Sequence, residues 1–236
     1  MKRKLLKSSV FSLLFTLPLS TISLPVQAQE FRPPKRPGPP VSVGAATRGY
    51  DCIKSKKKLT PLIPQNQLGL TVSEHPTFFW YTPGSAAEKA RFRLKNNDKK
   101  IIYEAVLSLP KESGIMGFTL PINSPAIEID KTYQWDLTLI CDEDDFSNNP
   151  RISGWVERIQ PDTFLSQTLA KADVSKLPRI YAEAGIWHEA LISLVQLRLN
   201  EPNNLITRMN WRKFLKSVDL QDLATEPLVK CCTVNN

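Results

Sequence analysis

Histidine is nearly missing from this chain: His75 and His188 are the only two in 236 residues. Two histidines so far apart do not form a multi-histidine metal centre. No cysteine pair has the two-residue spacing of a zinc or redox-dithiol motif, and no histidine stands near a cysteine. His188-Glu189 opens like a zinc-protease helix, but Ile192 occupies the position where the second histidine belongs. A serine nucleophile elbow and a phosphate-cradling glycine-rich loop are also missing. Catalysis needs convergent groups, and spacing brings none together here. No catalytic residue and no cofactor is expected. Glu183 and Glu189 are the carboxylates closest to a pair, and they carry the alternative reading of an envelope enzyme acting on glycan or peptidoglycan.

Long apolar runs are missing after residue 24. Before it, Met-Lys-Arg-Lys leads into an apolar stretch broken by serine and threonine, and Val26-Gln27-Ala28 supplies small residues for a peptidase. This reads as a secretory signal cut after Ala28, with no transmembrane span left after cleavage. The chain holds 31 basic and 23 acidic residues, net +8. Removing Lys2, Arg3, Lys4 and Lys7 leaves 27 and 23, net +4. Residues 29–60 hold eight bases against Glu30 and Asp51, so the body beyond is slightly acidic. The basicity belongs to signal and arm, which argues against nucleic acid as a partner. A periplasmic or extracellular location is expected.

Four cysteines remain in the exported chain, and four allow three pairings. Cys141 ends a central strand and Cys52 precedes the first one, so these two are expected to form a disulfide. Cys231 and Cys232 are adjacent in a polar tail (231–236), where a mutual bond closes a small ring. Their state is left open.

Residues 29–44 form a proline-rich basic arm, read as a polyproline II spacer that packs little against the body. Residues 45–160 are strand-rich. Strands are expected over 59–63, 68–72, 77–81, 89–94, 101–107, 116–120, 133–141 and 151–159. Pro83-Gly84, Asn96-Asn97-Asp98, Ser113-Gly114 and Asn148-Asn149-Pro150 are among the turns between them. Tyr133, Trp135, Leu137, Leu139 and Cys141 alternate with smaller or polar residues, the mark of a core strand. Asn96-Asn97-Asp98 tolerates left-handed backbone and should close a hairpin between 91–94 and 101–107. The class is α+β: an antiparallel β-sandwich followed by helices over 161–230.

Within the helical part, Asp162 is placed to cap a first helix and Pro178 to start a second. Trp187, Ala190, Leu191 and Leu194 form one helical face, with Gly185 marking a turn before it. Trp211, Phe214, Leu215 and Val218 repeat the spacing.

Three resemblances follow from these residues. Pro76–Trp80 and the Ile129–Trp135 stretch, with its tyrosine, resemble a fibronectin type III or immunoglobulin-like module. The segment 181–191, YAEAGIWHEAL, resembles one tetratricopeptide-type helical hairpin, acting as a cap. Gly44-Ala45-Ala46-Thr47-Arg48-Gly49, the 69–78 stretch GLTVSEHPTF, Tyr133-Gln134-Trp135 with Cys141-Asp142, Gly154-Trp155 and 181–191 together resemble the cyanobacterial domain-of-unknown-function family nine-two-eight. That resemblance covers about 43–230. It implies an exported cyanobacterial protein and carries over no activity, cofactor or catalytic residue.

Surface charge supplies the remaining candidates. Asp142, Asp144 and Asp145 are weak oxygen ligands for a hard cation, without the spacing of a calcium loop, and a solvated hairpin tip is expected instead. Lys56, Lys57 and Lys58 form a basic run. Arg208, Arg212, Lys213 and Lys216 line one side of the last helix. The helix bases could dock an anionic surface, but a solvated helix face is expected; Lys56, Lys57 and Lys58 with the proline arm are the better candidate contact to an envelope protein or an anionic cell-wall polymer. The reading is a non-catalytic exported interaction module.

Overall fold

The computed structural model describes residues 30–34, 52–64 and 68–232; the stretch read as a secretory signal and the arm beyond residue 34 lie outside the described residues. Eight strands come first: β1 (Thr60–Pro61), β2 (Leu68–Thr71), β3 (Thr77–Thr82), β4 (Lys89–Lys95), β5 (Ile101–Ser108), β6 (Gly114–Thr119), β7 (Thr132–Ile140) and β8 (Arg151–Arg158). Four helices follow: α1 (Thr163–Lys171), α2 (Leu177–Glu183), α3 (Trp187–Asn200) and α4 (Leu205–Lys216). Each expected strand is present within two residues of its expected bounds.

The strands form a three-stranded sheet, β1-β3-β6, and a five-stranded sheet, β2-β8-β7-β4-β5. β7 stands at the centre of the larger sheet because its period-two pattern buries Tyr133, Trp135, Leu137 and Leu139 on one face. These meet Phe78 and Trp80 of β3 and Met116 and Phe118 of β6 in one core. Fully burying large side chains of this kind stabilises by about 1.5–3 kcal/mol each. Cys52 and Cys141 are disulfide-bonded with Cα atoms 5.9 Å apart, which pins the segment leading into β1 to the end of β7.

Three expectations are corrected. The sheets are not wholly antiparallel: β2 runs parallel to β8, with Leu68 opposite Trp155. β2 reaches the sheet from a distant part of the chain and all four of its residues are buried, as parallel strands require. The left-handed residue of the β4–β5 hairpin is Lys99 (φ 63°), not a residue of Asn96-Asn97-Asp98. Asn96 instead holds the turn, its carbonyl and side-chain oxygens accepting from the Lys99 and Lys100 N–H groups.

The third correction concerns the arm. Its described portion does not lie free. Phe31 is buried, edge-on to Trp187 at 4.9 Å and to Phe214 at 6.1 Å. Its N–H donates to Ser217 Oγ, and the Arg32 N–H donates to the Ala182 carbonyl. A single phenylalanine among prolines outweighs the composition around it, because an aromatic ring removed from water is worth more than a spacer's freedom.

The helices cover the outer face of the smaller sheet. Trp187, Leu191 and Leu194 are buried, together with Trp211, Phe214 and Leu215, against Leu62, Phe79, Tyr81 and Ile115. The Trp187 indole N–H donates to the Leu62 carbonyl at 2.9 Å. Asp162 caps α1 by accepting from the Leu165 N–H at 2.7 Å. Gly185 (φ +72°) turns α2 into α3, and a Cβ there would stand 2.9 Å from the Arg32 carbonyl. The turn thus needs glycine for its backbone and for the docked arm. Past α4 a short 3-10 turn leads to Pro227 and Val229, which exchange backbone hydrogen bonds with Ile115 along the edge of β6. Cys231 and Cys232 are disulfide-bonded to each other.

Candidate functional site

The acidic turn holds itself. Asp142 Oδ1 accepts from the Asp144 and Asp145 N–H groups, and Asp145 accepts from Ser147 and Asn148. These bonds hold the Asp145 carboxyl below its ordinary pKa. Asn149 Oδ1 closes the turn on the Cys141 and Asp142 N–H groups. The oxygens of Asp142 and Asp145 point at their own backbone and neighbours. Among the described residues no group of three or more histidines, cysteines or acids is placed to hold a metal.

The two glutamates named for catalysis occupy different environments. Glu183 pairs at the surface with Arg179, one turn back on α2. Glu189, in the first turn of α3, is half-buried, with its carboxylate enclosed. Its Oε1 accepts from the Thr71 hydroxyl at 2.6 Å and from the Val72 and Ser73 N–H groups. It ties the helix to the end of β2, and burial raises its pKa. His188 beside it is sealed under Gly69, with Nδ1 on the Thr77 carbonyl at 2.9 Å. Burial pushes that imidazole down to about 4, so it is neutral at pH 7.

The basic candidates also divide. Lys57 Nζ is engaged by the Glu226 carboxylate and the Asp222 carbonyl, and sits over the Tyr81 ring. Lys56 and Lys58 are exposed beside it. Lys57 therefore fastens the strand side to the C-terminal segment. Lys216 is exposed at the end of α4, and Lys213 is half-buried.

Arg208 and Arg212 are brought together with a residue that sequence reading missed. They lie one turn apart on α4, so their side chains share a face. The α3–α4 hairpin places Arg198, from the last turn of α3, beside them. The three guanidinium groups line a cavity of about 130 Å³ with Trp211, Ala224 and Thr225. Arg198 stacks on the Trp211 ring at 4.9 Å, and the Trp211 indole N–H donates to the Ala224 carbonyl. Arg198 Nη2 donates to the Glu226 carbonyl at 3.0 Å, while Nη1 is buried with no partner. Burial and the Arg208 charge push the Arg198 pKa below its ordinary value. Glu201, three residues beyond Arg198, accepts from the Asn204 side chain, and Glu226 turns its carboxylate to Lys57. Among the described residues no carboxylate pairs with Arg198, Arg208 or Arg212. No spacing rule joins Arg198 to α4 across the Pro202 turn, and a clustering of bases about ten residues apart was the one available signal.

Two larger hollows lie on the sheets. One, of about 590 Å³, is flanked by the β4–β5 turn, Glu128 and Tyr133. Tyr133 Oη there accepts from the Glu128 N–H at 3.2 Å. The other, also about 590 Å³, lies along β6 between His75, Ile122 and the Cys231–Cys232 pair. The first mixes signs, Asp98 and Glu128 with Lys100 and Lys131, and the second is lined by no lysine, arginine or acid, so neither collects charge of one sign as the arginine cavity does. Among the described residues no helix is long and apolar enough to cross a membrane.

No curated protein matches this chain. The family described as Domain of Unknown Function (DUF928) matches it over residues 43–228, which takes in the described strands, α1 to α4 and all three arginines. The chain therefore belongs to that family.

Proposed function

We propose that this protein is an exported, non-catalytic interaction module that holds an anionic partner in the periplasm or at the cell surface. The observation that carries the reading is the arginine cavity. Three cations converge there without a carboxylate, at a fixed rim between two packed helices. Like charges held close are unfavourable unless an anion joins them. The separation of Glu183 from half-buried Glu189 weighs against the paired-carboxylate enzyme. Export rests on the tripartite N-terminus, with cleavage after Ala28 leaving Phe31 three residues from the new end. In this reading the sheets form an immunoglobulin- or fibronectin-III-like sandwich, supported by the Tyr133–Glu128 bond and the buried Trp80 and Trp135. The α2–α3 pair is a tetratricopeptide-like hairpin, supported by the small residues at the Gly185 turn.

Two measurements test the proposal. Intact-mass analysis of native protein from the envelope or secreted fraction should find residues 1–28 removed; a Met1 start in the cytoplasm would sink the export claim. Binding to an acidic polymer such as polyglutamate should weaken steeply with salt and fail in an Arg208→Met, Arg212→Met double variant. Binding that is salt-insensitive and keeps its strength in that variant would contradict it.

A further inference from the structure

We infer that the Arg198–Arg208–Arg212 cavity is a receptor for a terminal phosphate group, a phosphate monoester carried by the partner. The inference deepens the anionic-partner reading and rests on it.

The donor set decides the chemistry. Guanidinium groups come from two helices, so they approach a bound group from different sides, and the Thr225 residue lies on the same rim. A carboxylate is planar and has two oxygens, which one guanidinium already satisfies in a bidentate pair. Three guanidiniums are better matched by a tetrahedral group with three free oxygens and close to two negative charges. The volume of about 130 Å³ suits one compact group and not an extended chain. Arg198 is fixed in advance: its plane lies over Trp211, and Nη2 is anchored on the Glu226 carbonyl. Its Nη1 has no partner among the described residues, so the Arg198 guanidinium keeps donor capacity that the protein does not use. Arg208 and Arg212 are exposed, so they can close on the group without disturbing the core.

A diester leaves two free oxygens and one charge. It should bind more weakly than a monoester. A phosphate monoester also loses its second charge near pH 6, so binding should weaken as pH falls below that value.

Isothermal titration of the protein tests this with four probes: inorganic phosphate, phenyl phosphate, dimethyl phosphate and acetate. Phosphate and phenyl phosphate should bind at one site. Dimethyl phosphate should bind about tenfold more weakly and acetate weaker still, as expected when one charged hydrogen bond is lost. Arg208→Met and Arg212→Met should each weaken phenyl phosphate about tenfold, and Lys111→Met, at an exposed lysine of the β5–β6 turn, should leave it unchanged. Neither arginine is in the core, so a folded variant is expected; far-ultraviolet circular dichroism checks it. Equal affinity for acetate and phenyl phosphate would overturn the phosphate assignment. Polyglutamate binding that needs Arg212 while phosphate does not bind would overturn it too, leaving the anionic-partner reading standing. Binding of neither would overturn both.

Discussion

Two clusters of charge sit on opposite faces of this protein, and they end differently. On the five-stranded sheet, Asp136 of β7 receives Arg93 from β4 through Nε at 3.0 Å and Nη2 at 2.8 Å. Lys95 Nζ stands 2.8 Å from the other carboxylate oxygen, an ion-pair contact. Two cations share one buried acid, and the β4–β7 register places Arg93 directly opposite it and Lys95 two residues along, opposite Gln134. On the helical layer, Arg198, Arg208 and Arg212 meet with no acid at all among the described residues. The first cluster is complete and serves the fold. The second has no acid in place among the described residues, and in the proposed function its missing member comes from outside. Charge content alone does not separate structure from function; the presence or absence of a partner in place does.

The helical layer carries the incomplete cluster, so its anchorage sets the largest expected effect. Phe31→Ala should cost about 3–5 kcal/mol in urea denaturation, as for other buried aromatics in packed cores. Unchanged stability would mean that the layer, and the arginine cavity with it, is held without the arm. Next, Asp136→Ala should cost about 3 kcal/mol, because it strands Arg93 and Lys95 on a half-covered face. A negligible loss would erase the contrast between the two clusters.

Acid should weaken the joint between layers by a similar amount. Unfolded, His188 gains its proton near 6.5; folded, only near 4. Between those values the unfolded chain holds the extra proton, so stability should fall as pH drops through the window, by ~3 kcal/mol in full. Glu189 acts the other way. Its folded pKa is raised above 4.5, so acidification through its own window favours the folded chain. Urea titrations across pH 7 to 4 should give a shallower loss in His188→Gln and a steeper one in Glu189→Gln.

The smallest effect sharpens the comparison most. Arg208→Glu supplies the carboxylate that the helical cluster lacks. It should raise stability by less than about 1 kcal/mol, as exposed ion pairs do, while abolishing anion binding. A large loss of stability would mean that Arg208 already has a structural partner.

The sheet half was legible because its signals are local. Period two in β7, the turns at Asn96–Asp98 and Asn148–Pro150, and a cysteine at each end of the path predict both the strands and the Cys52–Cys141 bond. The helix faces of Trp187 and Trp211 were legible for the same reason, since 3.6-residue spacing is a local property. What escaped depends on distant pieces meeting. Phe31 docks on a glycine turn more than 150 residues later, β2 pairs with β8, and Arg198 reaches Arg208 and Arg212 only after the chain reverses. The exposed bases on α4 were visible in sequence, but the cavity that turns two of them into a site was not.

The claim at the centre of this account is that the arginine cluster lacks an oxyanion. Thermal melting of the protein in phosphate and in chloride, at one ionic strength, tests it directly. A ligand that binds only the folded chain raises stability in proportion to its occupancy. Phosphate should raise the melting temperature of the wild type in a concentration-dependent way and leave the Arg208→Met, Arg212→Met double variant unmoved. Identical melting of the wild type in the two salts, or an equal rise in the double variant, would contradict the account.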